Sequence, residues 1–280
     1  MALSSLPTHF GITFTSTLHS KPEGLTEPKS IKLPSPFVVA IAGGSRGIGL
    51  SIAQAYAEAA RTCDVAQQED VDKFSAGVKA KFGRLDVAVF NSAKAPRYLQ
   101  DADGTLRLSS HVLEDVEEFH GVTMTNFLGA VYLAKSLLPL LMETKDGMQT
   151  LICITSASSH FGSSNVTPAS YNISKLAMNR LIETVDSDYR DQGIQSFAVH
   201  PGVVLTDLTA RHSETVAGDF WKSALTDDPR LCAGFLVWLT KEKRQWLSGR
   251  YLAANWDVEE LEAKREHIVN EDALKFHMVV

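Results

Sequence analysis

The feature that most constrains the fold is the stretch Phe37–Gly49. It opens with a continuous apolar run, Phe37–Ala42, of the length expected for a strand buried on both faces. Gly43, Gly47 and Gly49 follow in the spacing Gly-x-x-x-Gly-x-Gly, and a helix of small and apolar residues comes next. Such a turn presents backbone N–H groups that a phosphate can approach. A dinucleotide site is therefore predicted, against the alternative of an ordinary strand–turn–helix.

Strands and helices alternate along the rest of the chain. This order predicts an α/β fold, a Rossmann-like doubly wound parallel sheet in a single domain over residues 37–280. Further strands are predicted at Leu85–Phe90, Thr150–Thr155, Ile194–His200 and Gly249–Ala253, and helices at Gln67–Phe82, within Val112–Leu141, from Leu176 to Gly193, at Leu231–Thr240 and in the charged tail Val258–Lys275.

Two segments stand apart from this pattern. Residues 1–36 contain five prolines and many Ser and Thr, which predicts an N-terminal extension that is extended or partly disordered. Residues 98–103 read as part of a polar loop. A Thr- and Asp-rich segment at about residues 207–230 predicts a mobile lid over the substrate. The apolar residues expected to line that lid are Phe220, Trp221, Leu225 and Leu231.

Composition narrows the function classes. The net charge of −6 gives no basic surface for nucleic acid, so no nucleic-acid partner is expected. No apolar run approaches the roughly 18 residues that span a bilayer, and no signal peptide is recognisable, so no membrane association and a cytoplasmic location are expected. The widely spaced Cys63, Cys153 and Cys232 predict a reducing compartment and no metal site.

Four polar residues have the types and positions needed for proton transfer. Tyr171 and Lys175 are one helical turn apart, and a nearby ammonium lowers the pKa of a phenol. Ser156 follows a buried parallel strand, where α/β sheets place their ligands. Asn126 stands among apolar residues and is expected to be buried and hydrogen-bonded.

These residues together resemble the short-chain dehydrogenase/reductase family. The resemblance implies that Tyr171 is the general acid for reduction and the base for oxidation. It implies that Lys175 lowers the pKa of Tyr171 and binds the nicotinamide ribose, that Ser156 orients the substrate carbonyl, and that Asn126 supports the proton relay. The most common spacing in the family favours Ser158 instead, but the strand end favours Ser156.

The resemblance also implies a set of cofactor contacts. Ile48 would lie against the pyrophosphate, Asn91 against the adenine-side ribose and Asp64 near the adenine, while Val204 and Thr206 would touch the nicotinamide. The cofactor-binding residues expected are Gly43, Ser45, Arg46, Gly47, Ile48, Gly49, Asp64, Asn91, Tyr171, Lys175, Val204 and Thr206.

The chain departs from the family at one place. The family has a second strand and a second helix after the first helix, and this sequence has no room for them. If the expected strand Arg61–Val65 moves beside the first strand, Asp64 reaches the ribose and favours NAD(H). Arg46, next to Gly47, instead favours the 2′-phosphate of NADP(H). We predict NADP(H), with NAD(H) as the alternative.

The resemblance implies an NAD(P)-dependent oxidoreductase that interconverts a ketone and a secondary alcohol on a small to medium apolar molecule. Residues 249–257 resemble fungal members of specialised metabolism. The alternative is a shortened, non-enzymatic member that does not bind cofactor. A homodimer or homotetramer is expected through the helices at 112–141 and 171–190, whose apolar residues include Phe127, Tyr132, Leu176 and Met178.

Overall fold

The computed structural model describes residues 10–56, 65–95, 97–108, 115–215 and 217–278. Its main feature is a parallel sheet of five strands in the order β1-β2-β5-β6-β7, and β3 and β4 form a separate antiparallel pair. The strands are β1 (Val39–Ala42), β2 (Val87–Phe90), β3 (Tyr98–Gln100), β4 (Leu106–Leu108), β5 (Thr150–Ile154), β6 (Gln195–His200) and β7 (Arg250–Ala253).

Helices cover both faces of this sheet, which confirms the predicted doubly wound fold. One apolar core lies between the sheet and α1 and α7, and the other lies between the sheet and α2, α4 and α5. The helices are α1 (Gly47–Ala55), α2 (Gln68–Phe82), α3 (Val116–Thr123), α4 (Gly129–Glu143), α5 (Ala169–Tyr189), α6 (Gly218–Ala224), α7 (Arg230–Thr240), α8 (Val258–Ala263) and α9 (Arg265–Asn270).

The carboxyl ends of the central strands meet at one edge of the sheet. Every residue of β2 and β5 is buried, as expected for parallel strands covered on both faces. The register pairs Ala42 with Phe90 and Phe90 with Cys153, so β1, β2 and β5 end at about the same level. The loops that follow these strands therefore converge on one region, which contains the candidate site.

The sheet lacks the second β–α unit, as predicted. Only 12 residues separate Ala55, the end of α1, from Gln68, the start of α2. A parallel crossover alone needs a dozen residues or more, so a strand and a helix do not fit. Within the described residues β1 is an edge strand that pairs only with β2. Of the predicted strand Arg61–Val65, Val65 lies in a turn and the rest, Asp64 included, falls outside the described residues.

The hairpin of β3 and β4 is a feature that the sequence analysis missed, because it treated this stretch as a polar loop. Its turn is closed by the hydrogen bond from the N–H of Gly104 to the carbonyl of Asp101, with Gly104 at a φ of +86°. A positive φ favours glycine. The pair Asp103-Gly104 was the available signal, since it is typical of hairpin turns.

The N-terminal segment is not the unattached arm that its prolines predicted, at least from residue 10 onward. Leu18 forms a β-bridge with Trp256, and the indole of Trp256 donates to the carbonyl of Gly11. The side-chain amide of Asn255 donates to the carbonyl of His19. Contacts with residues far along the chain fix this segment, and local sequence patterns do not reveal such contacts.

Helices α3 and α4 are joined without a break by the π-helical segment Met124–Leu128. Among the described residues the combined helix Val116–Glu143 is the one that is long and apolar enough to cross a membrane, and half of it is buried inside the protein. The length expectation from the sequence therefore has this one exception. The apolar side of α4 packs into the core against α2 and β2, which accounts for its composition.

Candidate active site

A cavity of about 630 Å³ lies at the carboxyl edge of the sheet. Its walls come from the glycine turn after β1, the loops after β2, β5 and β6, the first turn of α5 and the lid. All the predicted site residues except Asn126, Gly49 and Asp64 line it, and Asp64 lies outside the described residues. Folding thus brings together in one cavity residues from five separate segments of the sequence.

Two of the three glycines allow the turn to pack against the loop after β2. A Cβ atom on Gly43, whose φ is +82°, would lie 2.8 Å from the backbone nitrogen of Ser92. A Cβ atom on Gly49 would lie 2.0 Å from the carbonyl oxygen of Gly43. The amide of Asn91 donates to that same carbonyl at 2.9 Å. Gly43 and Gly49 are therefore needed for packing, and Asn91, expected at the ribose, holds the turn in place.

The third glycine leaves space for a ligand. Gly47 has a φ of +53°, and a Cβ atom there would come 3.4 Å from the side chain of Thr206 on the opposite wall. Ser45 and Ile48 line the same part of the cavity at the start of α1. Backbone N–H groups at a helix start, free of side-chain cover, fit a pyrophosphate. The residues present therefore fit the phosphate and nicotinamide parts of a dinucleotide.

Tyr171 and Ser156 form the polar centre of the cavity. Ser156 follows β5, and its hydroxyl accepts hydrogen bonds from the hydroxyl of Ser158 at 2.9 Å and from the N–H of Ser158 at 3.2 Å. Burial raises the pKa of Tyr171 to about 12, while a hydrogen bond with the side chain of Ser156 opposes the rise. Because Ser158 donates both of its groups to Ser156, the proton of Ser156 remains available to a ligand.

Lys175 is buried beneath this centre, with 2% of its surface exposed. Its Nζ atom donates to the carbonyl oxygen of Ile154 at 2.7 Å and lies 5.6 Å from the centroid of the Tyr171 ring. Burial lowers the pKa of Lys175 to about 8. The expectation that Lys175 lowers the pKa of Tyr171 is wrong for this structure, because burial of the phenol dominates.

Asn126 is fully buried, as predicted, but it acts on a different partner from the one expected. Its side chain accepts from the N–H of Lys94 at 2.7 Å and donates to the carbonyl of Lys94 at 3.2 Å. It also donates to the hydroxyl of Ser174, the neighbour of Lys175. Asn126 thus fixes the loop after β2 against α5.

Arg46 and the loop after β6 form the mouth of the cavity. Arg46 is 75% exposed and pairs with Asp207 at 2.9 Å, an exposed ion pair worth less than about 1 kcal/mol. Val204 and Thr206 line the cavity where the resemblance expected them. Asp227 holds their loop, because its carboxylate accepts from the N–H of Val203 at 2.7 Å.

The lid differs in part from its prediction. It contains a 3₁₀ turn at His212–Glu214 and the short helix α6, and Phe220 and Trp221 line the cavity as expected. Leu225 lies outside the cavity wall, and Leu231 belongs to α7 and the core. An apolar residue can satisfy either environment, so composition alone could not separate them.

Sequence reasoning also missed two histidines in the cavity wall. His200 ends β6, and its Nδ1 accepts from the N–H of Ala157 at 3.2 Å, next to Ser156. Burial lowers the pKa of His200 to about 3, so it is neutral. His212 lines the lid side. A lone histidine in a loop carries no local signal of such a role.

The sheet, the glycine turn and this cluster define a nicotinamide-type oxidoreductase fold and site, and the chain belongs to the short-chain dehydrogenase/reductase family. The family profile described as "Enoyl-(Acyl carrier protein) reductase" matches residues 42–255. The chain is 37% identical over 316 residues to "Short chain dehydrogenase pgmD" of Aspergillus terreus, covering 99% of this chain and 98% of that protein. It is 36% identical over 219 residues to "Short chain dehydrogenase citE" of Monascus ruber, covering 78% and 68%.

Solved structures agree on the fold. A short-chain dehydrogenase/reductase of Saccharomyces cerevisiae superposes with a TM-score of 0.65 at 20% identity, covering 81% of this chain and 98% of that one. The aldohexose dehydrogenase of Thermoplasma acidophilum superposes with a TM-score of 0.64 at 19% identity, covering 84% and 97%. The protein is thus an oxidoreductase of a family that uses NAD(P)(H).

The alignment with the Aspergillus relative also bears on the missing unit. It runs over 316 positions, whereas this chain has 280 residues, so at least 36 positions of the alignment have no residue of this chain. A β–α unit of this fold needs about 30 residues. The length difference is therefore sufficient to account for the absent strand and helix.

Proposed function

We propose that this protein reduces a ketone to a secondary alcohol with NADP(H), on a small to medium apolar substrate. The observation that carries the proposal is the hydrogen-bonded pair of Tyr171 and Ser156, which lies in the same cavity as the cradle beside Gly47. A proton donor, a carbonyl-binding hydroxyl and a phosphate site in one cavity are the parts that ketone reduction requires.

Each residue has a role that its contacts support. The hydroxyl of Ser156 donates to the substrate carbonyl oxygen, since its own acceptor sites are taken by Ser158. Tyr171 transfers its proton to that oxygen, and the charge of Lys175 stabilises the phenolate that remains. Asn126 acts indirectly, by holding the loop after β2. A bound nicotinamide cofactor supplies the hydride.

The preference for NADP(H) rests on Arg46. Its guanidinium stands at the edge of the glycine turn and is held only by an exposed ion pair with Asp207, so a phosphate can compete for it. NAD(H) remains the alternative if Asp64 faces the ribose. Similarity to fungal enzymes supports a place in specialised metabolism.

The association state and location are further parts of this proposal. Exposed apolar residues on α5, Ile173 at 49% and Leu176 at 38%, support a homodimer or homotetramer. Met178, also expected at the interface, is fully buried in its own subunit and is not available. We retain the cytoplasmic location as a proposal drawn from the sequence.

The test is a titration of the purified protein with NADPH and NADH, followed by nicotinamide fluorescence, together with reduction of simple aryl and alkyl ketones. We expect saturable binding, tighter for NADPH, and turnover that is lost in Tyr171→Phe. Binding without turnover of any ketone or alcohol would contradict the proposed reaction.

A second candidate is a shortened member that does not hold cofactor. One observation favours it: the absent β–α unit normally forms the adenosine side of the site, and within the described residues β1 is an edge strand. The same titration decides between the two, because this candidate predicts no saturable fluorescence with either nucleotide.

A further inference from the structure

The lid and the β3–β4 hairpin are joined by a hydrogen bond between two ring side chains. The hydroxyl of Tyr98, at the start of β3, bonds Nδ1 of His212 in the lid. Their rings meet edge to face, with centroids 5.7 Å apart. The guanidinium of Arg211 lies 5.2 Å from the centroid of the Tyr98 ring on the other side. The orientation of the His212 ring is therefore fixed by a neighbour that comes from a distant part of the chain.

These contacts determine which nitrogen of His212 carries hydrogen. The oxygen of Tyr98 accepts from the backbone N–H of Arg211, so its own proton is free to be donated to Nδ1 of His212. Burial lowers the pKa of His212 to about 4, so the ring is neutral at physiological pH. A neutral imidazole that accepts at Nδ1 carries its hydrogen on Nε2.

The Nε2–H group of His212 has no hydrogen-bond partner among the residues that the structure describes. His212 lines the cavity, so this group is the one it can offer to a ligand. Trp221, also in the cavity wall, packs edge to face on His212 at 4.5 Å. Its indole N–H is buried and likewise lacks an acceptor within the described residues. Buried donors without acceptors are costly, so two on one wall indicate a ligand that accepts hydrogen bonds.

The rest of this wall indicates the shape of that ligand. Phe161, Phe220 and Trp221 present aromatic rings to the cavity, and Tyr171 presents a fourth at the catalytic end. Aromatic walls favour flat rings, which they contact by stacking or edge-to-face packing. A flat aromatic ketone with an oxygen remote from the reacting carbonyl would use both the rings and the donors.

We propose that His212 orients the substrate by donating from Nε2–H to a second oxygen of an aromatic ketone, and that Tyr98 holds His212 in the orientation and hydrogen placement this requires. This inference rests on the proposed ketone reduction and extends it to a substrate class. His212 contacts the substrate, whereas Tyr98 is a positioning residue that acts through His212.

The test compares 1-tetralone with its 5-, 6- and 7-hydroxy derivatives in the wild-type enzyme. We expect at least one hydroxytetralone to have a kcat/KM at least tenfold above that of 1-tetralone. In His212→Phe that ratio should fall toward one, mainly through KM, because the ring remains and the donor is lost. His212→Gln should restore part of the ratio, since its amide can donate near the position of Nε2, and Tyr98→Phe should lower it. His267→Phe, an exposed histidine on α9, is the matched control and should leave the ratio unchanged.

A second measurement keeps this test independent of turnover. Dissociation constants of the tetralones, measured by quenching of tryptophan fluorescence, should show the same preference and the same loss in His212→Phe. If no ketone is reduced but this binding preference is present, the proposed reaction fails and the role of His212 stands. Equal binding of 1-tetralone and all three hydroxytetralones by the wild type would overturn the inference, as would a preference unchanged in His212→Phe.

Discussion

The ammonium of Lys175 lies 5.6 Å from the centre of the Tyr171 ring, while its hydrogen bond goes to the carbonyl of Ile154. The two residues are one turn apart on α5, and both have pKa values displaced by burial, Tyr171 upward and Lys175 downward. Burial therefore keeps Tyr171 protonated at neutral pH. This state suits a proton donor in reduction better than a base in oxidation.

Replacing Tyr171 by phenylalanine removes the transferable proton and keeps the ring. We expect turnover to fall by about a thousandfold or more, because general acid catalysis typically contributes a factor of about 10² to 10⁴. The dissociation constant of NADPH should change little. Steady-state kinetics and a fluorescence titration on the same preparation check both values, and activity near that of the wild type would contradict the role of Tyr171.

The pH dependence should differ between the two directions. Tyr171, with a pKa of about 12, stays protonated at lower pH, whereas Lys175, with a pKa of about 8, loses its charge as the pH rises through 8. Ketone reduction should thus be constant below pH 8 and decline above it. Alcohol oxidation, which needs the phenolate, should increase with pH. Profiles of kcat/KM from pH 6 to 10 measure this, and reduction that rises across pH 8 would refute it.

Lys175→Met should stabilise the protein at pH 7 while abolishing its activity. The pKa of Lys175 is lowered in the folded state, so its charge opposes folding at every pH below about 8, and this opposition fades between about pH 8 and its unfolded pKa near 10.4. Methionine has a similar shape and no charge. We expect Tm to rise by a few degrees at pH 7 and by less at pH 10. A lower Tm at pH 7 would mean that the bond to Ile154 outweighs the cost of the buried charge.

Arg46→Ala should weaken NADPH binding about tenfold and leave NADH nearly unchanged, because only NADPH offers a 2′-phosphate. Asp207→Asn is the matched control. It breaks the same ion pair but keeps the guanidinium, so NADPH binding should stay equal or tighten. If Asp64→Ala shifts the preference toward NADPH and Arg46→Ala does not, NAD(H) is the native cofactor.

Ile173→Asp should disrupt the proposed homo-oligomer. Ile173 and Leu176 are exposed on the same side of α5, and burying a charge among apolar side chains is costly. We expect the wild type to be a dimer or tetramer by light scattering at micromolar concentration, and the variant to be smaller with unchanged circular dichroism. A monomeric wild type would refute the interface.

The sequence alone determined the class of fold and most of the candidate site. The apolar strand before Gly43, the glycine spacing and the alternation of strands with helices are local patterns, and local patterns reflect backbone geometry directly. The same is true of Tyr171 and Lys175, whose spacing places them one turn apart. The missing β–α unit could also be read from length, because too few residues separate α1 from α2.

Only the tertiary structure decided what each of these residues contacts. Asn126 bonds Lys94, 32 positions away, and Tyr98 bonds His212, 114 positions away. The displaced pKa of Tyr171 likewise depends on burial by surrounding elements, and it reversed the effect expected from Lys175 alone. The sequence determines which groups are present and how each segment folds locally, whereas their partners, burial and protonation depend on segments that only the folded chain brings together.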